Sequence, residues 1–102
     1  MSITVYEKIA GMLKIIAHPC RLRIIDILKS GEQGVSFIQD QVNCKQSVTS
    51  QHLNKMKNRG VLKARRSGNE VFYSIANFEV LRIMKCIKDC PHSQRRDKCL
   101  KS

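Results

Sequence analysis

Residues 41–69 read Gln41-Val-Asn-Cys-Lys-Gln-Ser-Val-Thr-Ser-Gln-His-Leu-Asn-Lys-Met-Lys-Asn-Arg-Gly-Val-Leu-Lys-Ala-Arg-Arg-Ser-Gly-Asn69. Seven Lys or Arg side chains fall in these 29 residues and no Asp or Glu; Asp40 and Glu70 stand just outside. Leu53, Met56 and Val61/Leu62 recur at the spacing of an inward helical face continued into the next element. Asn54, Lys55, Lys57 and Asn58 are left for the outside. Surface charge is ordinarily mixed in sign, so a run with no interspersed acid is unlike a merely solvated helix. A helix opening on Ser, Gln, His and Asn, with cations further along, suits hydrogen bonding to base edges together with phosphate neutralisation. The stretch reads as a DNA-recognition helix.

Upstream of it, Ser36 and Gln39 have the S-x-x-Q spacing of a capping box, heading a short helix that ends near Val42. Asn43-Cys44-Lys45 makes a tight turn, and the basic helix follows from about Gln46 to Arg59. Lys45 is a poor N-cap residue, so Ser47 is expected in that role. Short helix, turn and polar helix form a helix-turn-helix. After Gly60, residues 61–66 and 70–75 alternate as two strands around Ser67-Gly68-Asn69, a hairpin signal. Arg65 and Arg66 lie beside its tip, placed to reach a flanking phosphate or the minor groove.

The remaining segments frame this unit. Residues 3–16 carry Ile3, Val5, Ile9, Met12, Leu13 and Ile16 at helical spacing, interrupted by Gly11. His18-Pro19 starts a second helix, to about Lys29, whose many apolar residues mark it as the central core helix. Asn77 caps a last helix that runs to about Cys90 and stops before Pro91. Its stripe of Val80, Leu81, Met84 and Ile87, with Ile83 alongside, is expected outside the compact core, packing with the first helix against a second subunit. The expected fold is therefore mainly α (α+β). It is a winged helix-turn-helix of about five helices with a two-stranded β-hairpin wing, homodimeric through the first and last helices. Residues 1–91 form the DNA-binding and dimerisation domain, and residues 92–102 a polar tail.

A net charge of +11 on 102 residues predicts a polyanionic partner. Five aromatics without Trp argue against a stacking platform for single strands, and the recognition helix points to double-stranded DNA. No apolar run approaches the length of a membrane span, and Glu7 and Lys8 interrupt any signal-peptide layout. The expected compartment is the cytoplasm, where thiols stay reduced. Eight scattered acids form neither a paired-carboxylate nor a Ser/His/Asp arrangement, so no enzyme is expected.

Three motifs in order carry a family resemblance over roughly residues 10–90. They are His18-Pro-Cys-Arg-Leu-Arg-Ile-Ile, Gln46-Ser-Val-Thr-Ser-Gln-His-Leu, and the wing segment Gly60-Val-Leu-Lys-Ala-Arg-Arg-Ser-Gly-Asn-Glu-Val-Phe-Tyr-Ser-Ile. Together they resemble the ArsR/SmtB family of bacterial metal-sensing repressors. The resemblance implies a homodimeric winged helix on an inverted-repeat operator, released when an inducer binds. On this reading Ser47, Thr49, Ser50, Gln51 and His52 read bases or position the helix, with Gln46 in the same contact set. Lys45, Lys55, Lys57 and Arg59 meet phosphates and Arg65 and Arg66 do so from the wing; His52 admits helix packing as well. Two family metal sites are not intact. The cysteine-bearing third-helix segment appears here as Glu32-Gln-Gly-Val-Ser-Phe without a thiol. The zinc positions of the last helices fall on Asn77, Glu79, Cys90 and Ser93.

Any sensor must then use other residues. Cys86 and Cys90 are one helical turn apart, and Cys99 is within reach if the tail folds back. Three thiolates suit arsenic(III) or antimony(III), as the resemblance suggests; with His92 added, the set suits tetrahedral zinc. A third reading is cysteine persulfide or disulfide chemistry, as in the family's sulfur-sensing branch, and the bland one is buried helix cysteines plus a stray tail thiol. Cys20, at a helix N-terminus beside Arg21, is expected to have a lowered pKa and to be a further sensor candidate, paired with a last-helix cysteine. Cys44 reads as core filler in the turn.

Overall fold

The computed structural model describes residues 3–89. In chain order the elements are α1 (Ile3–Ile16), α2 (Pro19–Leu28), β1 (Gln33–Gly34), α3 (Val35–Val42), α4 (Gln46–Asn58), β2 (Leu62–Ser67), β3 (Glu70–Ile75) and α5 (Glu79–Asp89). This is the winged helix-turn-helix expected from the sequence, with α3 and α4 as the motif and β2–β3 as the wing. Gly11 does not interrupt α1. Among the described residues no helix is long and apolar enough to cross a membrane.

Local chemistry fixes the element ends. The side chain of His18 caps α2, its Nδ1 accepting from the Cys20 N–H at 3.1 Å, and Pro19 takes the first helical position. Asn43 ends α3 in the left-handed region at φ 59°, which Asn tolerates better than most residues. Gly60, at φ 81°, closes α4: its N–H bonds to Lys57 O and the Val61 N–H to Met56 O, the paired pattern of a Schellman motif. The wing turns through Gly68-Asn69, with Gly68 at φ 63° and Ser67 opposite Glu70.

Three expectations are corrected. The sheet has three antiparallel strands in the order β1-β3-β2, because Gln33 and Gly34 pair with Tyr73 and Phe72. A two-residue strand is too short to leave a period-2 signature. The Ser36/Gln39 capping box does not form: Gly34 is the N-cap residue of α3, and the Ser36 N–H donates instead to Glu70 Oε1 at 3.1 Å. Gly34 is what lets that carboxylate approach, since a Cβ there would lie 2.7 Å from Glu70 Oε1. Nor does Ser47 cap α4; Lys45 holds the N-cap position with extended backbone and no side-chain bond.

The core gathers one face from every helix. Ile24, Ile25 and Leu28 of α2 meet Ile38 and Val42 of α3, Leu53 and Met56 of α4, and Val61, Leu62, Tyr73 and Ile75 of the wing base. Val80 is fully buried, with Leu81 and Met84 packed behind it, so α5 is anchored in the core and not wholly outside it. The Asn77 side chain caps α5 through the Glu79 N–H and reaches Met12 of α1. Ile3, Tyr6, Ile9 and Leu13 of α1 stay exposed, as does Ile87 of α5.

Candidate nucleic-acid interface

The interface is built on the split character of α4. Thr49, His52, Leu53 and Met56 turn inward, while Gln46, Ser47, Ser50, Gln51 and Asn54 are exposed. The exposed set recurs with helical periodicity and makes one polar face about two turns long. Lys45, Lys55, Lys57 and Arg59 are exposed around it, and none pairs with a carboxylate among the described residues. Hydroxyl and carboxamide groups ringed by cations suit a groove edge flanked by phosphates.

Two of the expected contact residues are placed elsewhere. Thr49 has no exposed surface, and His52 is 9% exposed. His52 Nδ1 accepts from Arg21 Nε at 2.9 Å, while Arg21 Nη1 donates to Ile15 O at 2.8 Å. The rings of His18 and His52 sit 4.3 Å apart at 49°. His52 thus locks the recognition helix onto α2, and the packing alternative is the one its geometry fits. Burial holds its imidazole pKa below the usual 6.5, with the charges of His18, Arg21 and Lys55 adding to the effect. Thr49 Oγ1 and His52 Nε2 have no hydrogen-bond partner among the described residues.

On the wing, Arg65 is engaged. It forms a two-pronged bond with Glu32, Nε to Oε2 at 2.8 Å and Nη2 to Oε1 at 2.7 Å, and its guanidinium lies 5.0 Å from the Phe72 ring centre. The hydrogen bond from Arg65 holds the Glu32 carboxyl below the usual carboxylate range. Arg66 is exposed and takes the opposite side of the strand from Arg65.

Of the sensor candidates, Cys86 is exposed on α5, whereas Cys90, His92 and Cys99 lie outside the described residues. Among the described residues no three His, Cys, Asp or Glu side chains converge as a metal site. Cys20 is not the activated thiol that its helix position suggested. Burial, then the hydrogen bond shared with Cys44, push its pKa up to about 11, and Arg21 only partly offsets them. Its neighbour is Cys44, Sγ to Sγ 3.2 Å, and not a described cysteine of α5. The Cys20–Cys44 contact and the His18–Arg21–His52 cluster join residues 24 to 34 apart, and no local spacing announces either.

Comparisons with known proteins agree with this geometry. A family model described as bacterial regulatory protein, arsR family, matches residues 18–64. The chain is 42% identical over 82 residues to the transcriptional repressor PagR of Bacillus anthracis, covering 79% of this chain and 82% of that protein. It is 35% identical over 83 residues to the nodulation protein NolR of Rhizobium meliloti, covering 81% and 68%. Its fold is similar to the homodimeric winged helix-turn-helix DNA-binding domain of Mb0332 from Mycobacterium bovis. That match has a TM-score of 0.73 and 29% identity, over 84% of this chain and 80% of that one.

Proposed function

The chain belongs to the arsR family of bacterial regulatory proteins, a DNA-binding transcriptional repressor by kind. From that premise we propose that it acts in the cytoplasm as a homodimer on inverted-repeat operator DNA and is released by a thiophilic inducer. The observation that carries the DNA arm is the outer face of α4: Gln46, Ser47, Ser50 and Gln51 exposed together, ringed by cations with no described acid partner. Ser50 and Gln51 read base edges. Lys45, Lys55, Lys57, Arg59 and the wing's Arg66 meet phosphates. The exposed apolar residues of α1, with Ile87 of α5, supply a surface for the second subunit.

The test is a salt titration of operator and scrambled duplex. Each phosphate contact contributes a slope of roughly −0.9 in log affinity against log salt. Ser50→Ala with Gln51→Ala should bring operator and scrambled affinities together, and an undiminished preference would remove both from base reading.

For release, Cys86, Cys90 and Cys99 are the proposed ligands for arsenic(III) or a similar soft ion, with His92 joining them if the ion is zinc. The exposure of Cys86 on α5 favours a site open to an incoming ion. Cys86→Ser with Cys90→Ser should bind operator normally yet stay bound when arsenite is added. Parallel titrations with zinc and a persulfide donor separate metal release from oxidative release.

A further inference from the structure

We propose that Cys20 and Cys44 form a second thiol site, a dithiol that hydroperoxides convert reversibly to a disulfide between α2 and the helix-turn-helix turn. The two sulfurs stand 3.2 Å apart across 24 residues of sequence, so the fold has already brought the ends of that loop together. A disulfide bond is about 2.05 Å long, so closing it takes roughly 1 Å of approach. Cys20 is on the first turn of α2, only 6% exposed, under the cap made by His18. Cys44 is half-buried and faces Val42 O at 3.5 Å as well as Cys20. A small oxidant therefore reaches Cys44, and Cys20 waits behind it. Cys86, the other described cysteine, lies on α5 and takes no part in this contact.

The roles follow from access. The Cys44 thiolate attacks one peroxide oxygen, the O–O bond breaks, and hydroxide leaves as water, giving a sulfenic acid. Cys20 sulfur then attacks Cys44 sulfur, the S–O bond breaks, and the departing hydroxide takes the Cys20 proton as a second water. Two thiols and one hydrogen peroxide become one disulfide and two waters; the sulfurs lose two electrons and the peroxide gains them. Cys20, buried behind Cys44, meets the sulfenic sulfur and not the free oxidant.

The bond would draw the turn toward α2 immediately before Lys45 and Gln46, the residues that open the recognition helix. Oxidation should then lower duplex affinity, a consequence that rests on the DNA-binding reading; the disulfide itself does not. The experiment uses reduced full-length chain treated with hydrogen peroxide, thiol trapping and peptide mapping, with duplex affinity measured at fixed salt. The expected result is a Cys20–Cys44 linked peptide in wild type and Cys86→Ser, absent in Cys44→Ser and reversed by dithiothreitol. Wild-type affinity should fall by about tenfold on oxidation and that of Cys44→Ser should not. Over-oxidised Cys44 beside an unmodified Cys20, or Cys44 linked to another cysteine, would overturn the thiol site. A mapped link with unchanged affinity would overturn its effect on binding. If reduced protein binds no duplex, the DNA reading and the affinity consequence both fall, and the peptide map alone decides the thiol site.

Discussion

The recognition helix and the wing carry the same charge sign in the same acid-free stretch, yet the fold treats their cations differently. On α4 the Lys and Arg side chains stay exposed with no described carboxylate partner. On the wing, Arg65 is gripped by Glu32 from the segment leading into β1, and Glu70 at the head of β3 is spent on capping α3. One acid, Glu32, returns to the linear stretch through the third dimension, and among the described residues it reaches only the wing. Cation count along a chain therefore does not measure the charge available to a phosphate. What matters is which cations the topology leaves beyond the reach of an acid.

The sharpest way to break this contrast is to separate the two faces of α4. Leu53 is fully buried among α2, α3 and the wing base. Leu53→Ala should cost about 2–5 kcal/mol of folding free energy by opening a cavity, read from a urea unfolding midpoint. Lys57→Ala, one turn on but exposed, should leave that midpoint within about 0.5 kcal/mol of wild type while weakening duplex binding. If Lys57→Ala shifts the midpoint as much as Leu53→Ala, its side chain is structural and the outer face is misassigned.

A smaller effect separates the two wing arginines. Arg66→Ala should reduce the salt slope of binding by about 0.9, one phosphate contact, whereas Arg65→Ala should leave it nearly unchanged because Glu32 already neutralises that guanidinium. Glu32→Gln sharpens the point: freeing Arg65 should steepen the slope. Equal losses from both arginines would show that Arg65 abandons Glu32 for DNA.

How much of this was legible in the chain depends on sequence separation. Helices α1 to α5 and the hairpin announce themselves through local periodicity, the His18-Pro19 start, Gly60 and Gly68, since each of those signals acts within a few residues. The split of α4 was half legible. Leu53 and Met56 read as inward, but Thr49 and His52 are polar and fit the contact set, with packing left open for His52, although a helix that buries Leu53 and Met56 must also bury the positions one turn earlier on the same face. Glu32 with Arg65, Glu70 with Ser36, Arg21 with His52 and Cys20 with Cys44 were not legible. Each is 24 to 34 residues apart in the chain; the Arg21 and Cys20 pairs depend on how α2 crosses the motif, the Glu32 and Glu70 pairs on how the wing meets the segment around β1 and α3.

The least of the expected effects tests whether His52 belongs to the inner face of α4 at all. Arg21 Nε donates to His52 Nδ1, so that nitrogen must keep its lone pair and the folded imidazole must be neutral. Its folded pKa lies below the usual 6.5, first through burial. Between that lowered value and 6.5 the unfolded chain binds a proton that the folded one does not, so stability rises with pH there and is lost on acidification. The His52 contribution is fully present above about pH 6.5, the unfolded value. It declines below that pH with a slope of at most about 1.4 kcal/mol per pH unit. His52→Gln offers Arg21 an amide oxygen but cannot titrate, so its unfolding free energy should change less than that of wild type between pH 7.5 and 5.5. Equal pH slopes would mean that His52 accepts the proton in the folded state, which the Arg21 hydrogen bond forbids. The histidine would then have to leave α2, and its place on the DNA-facing side of α4 would be restored.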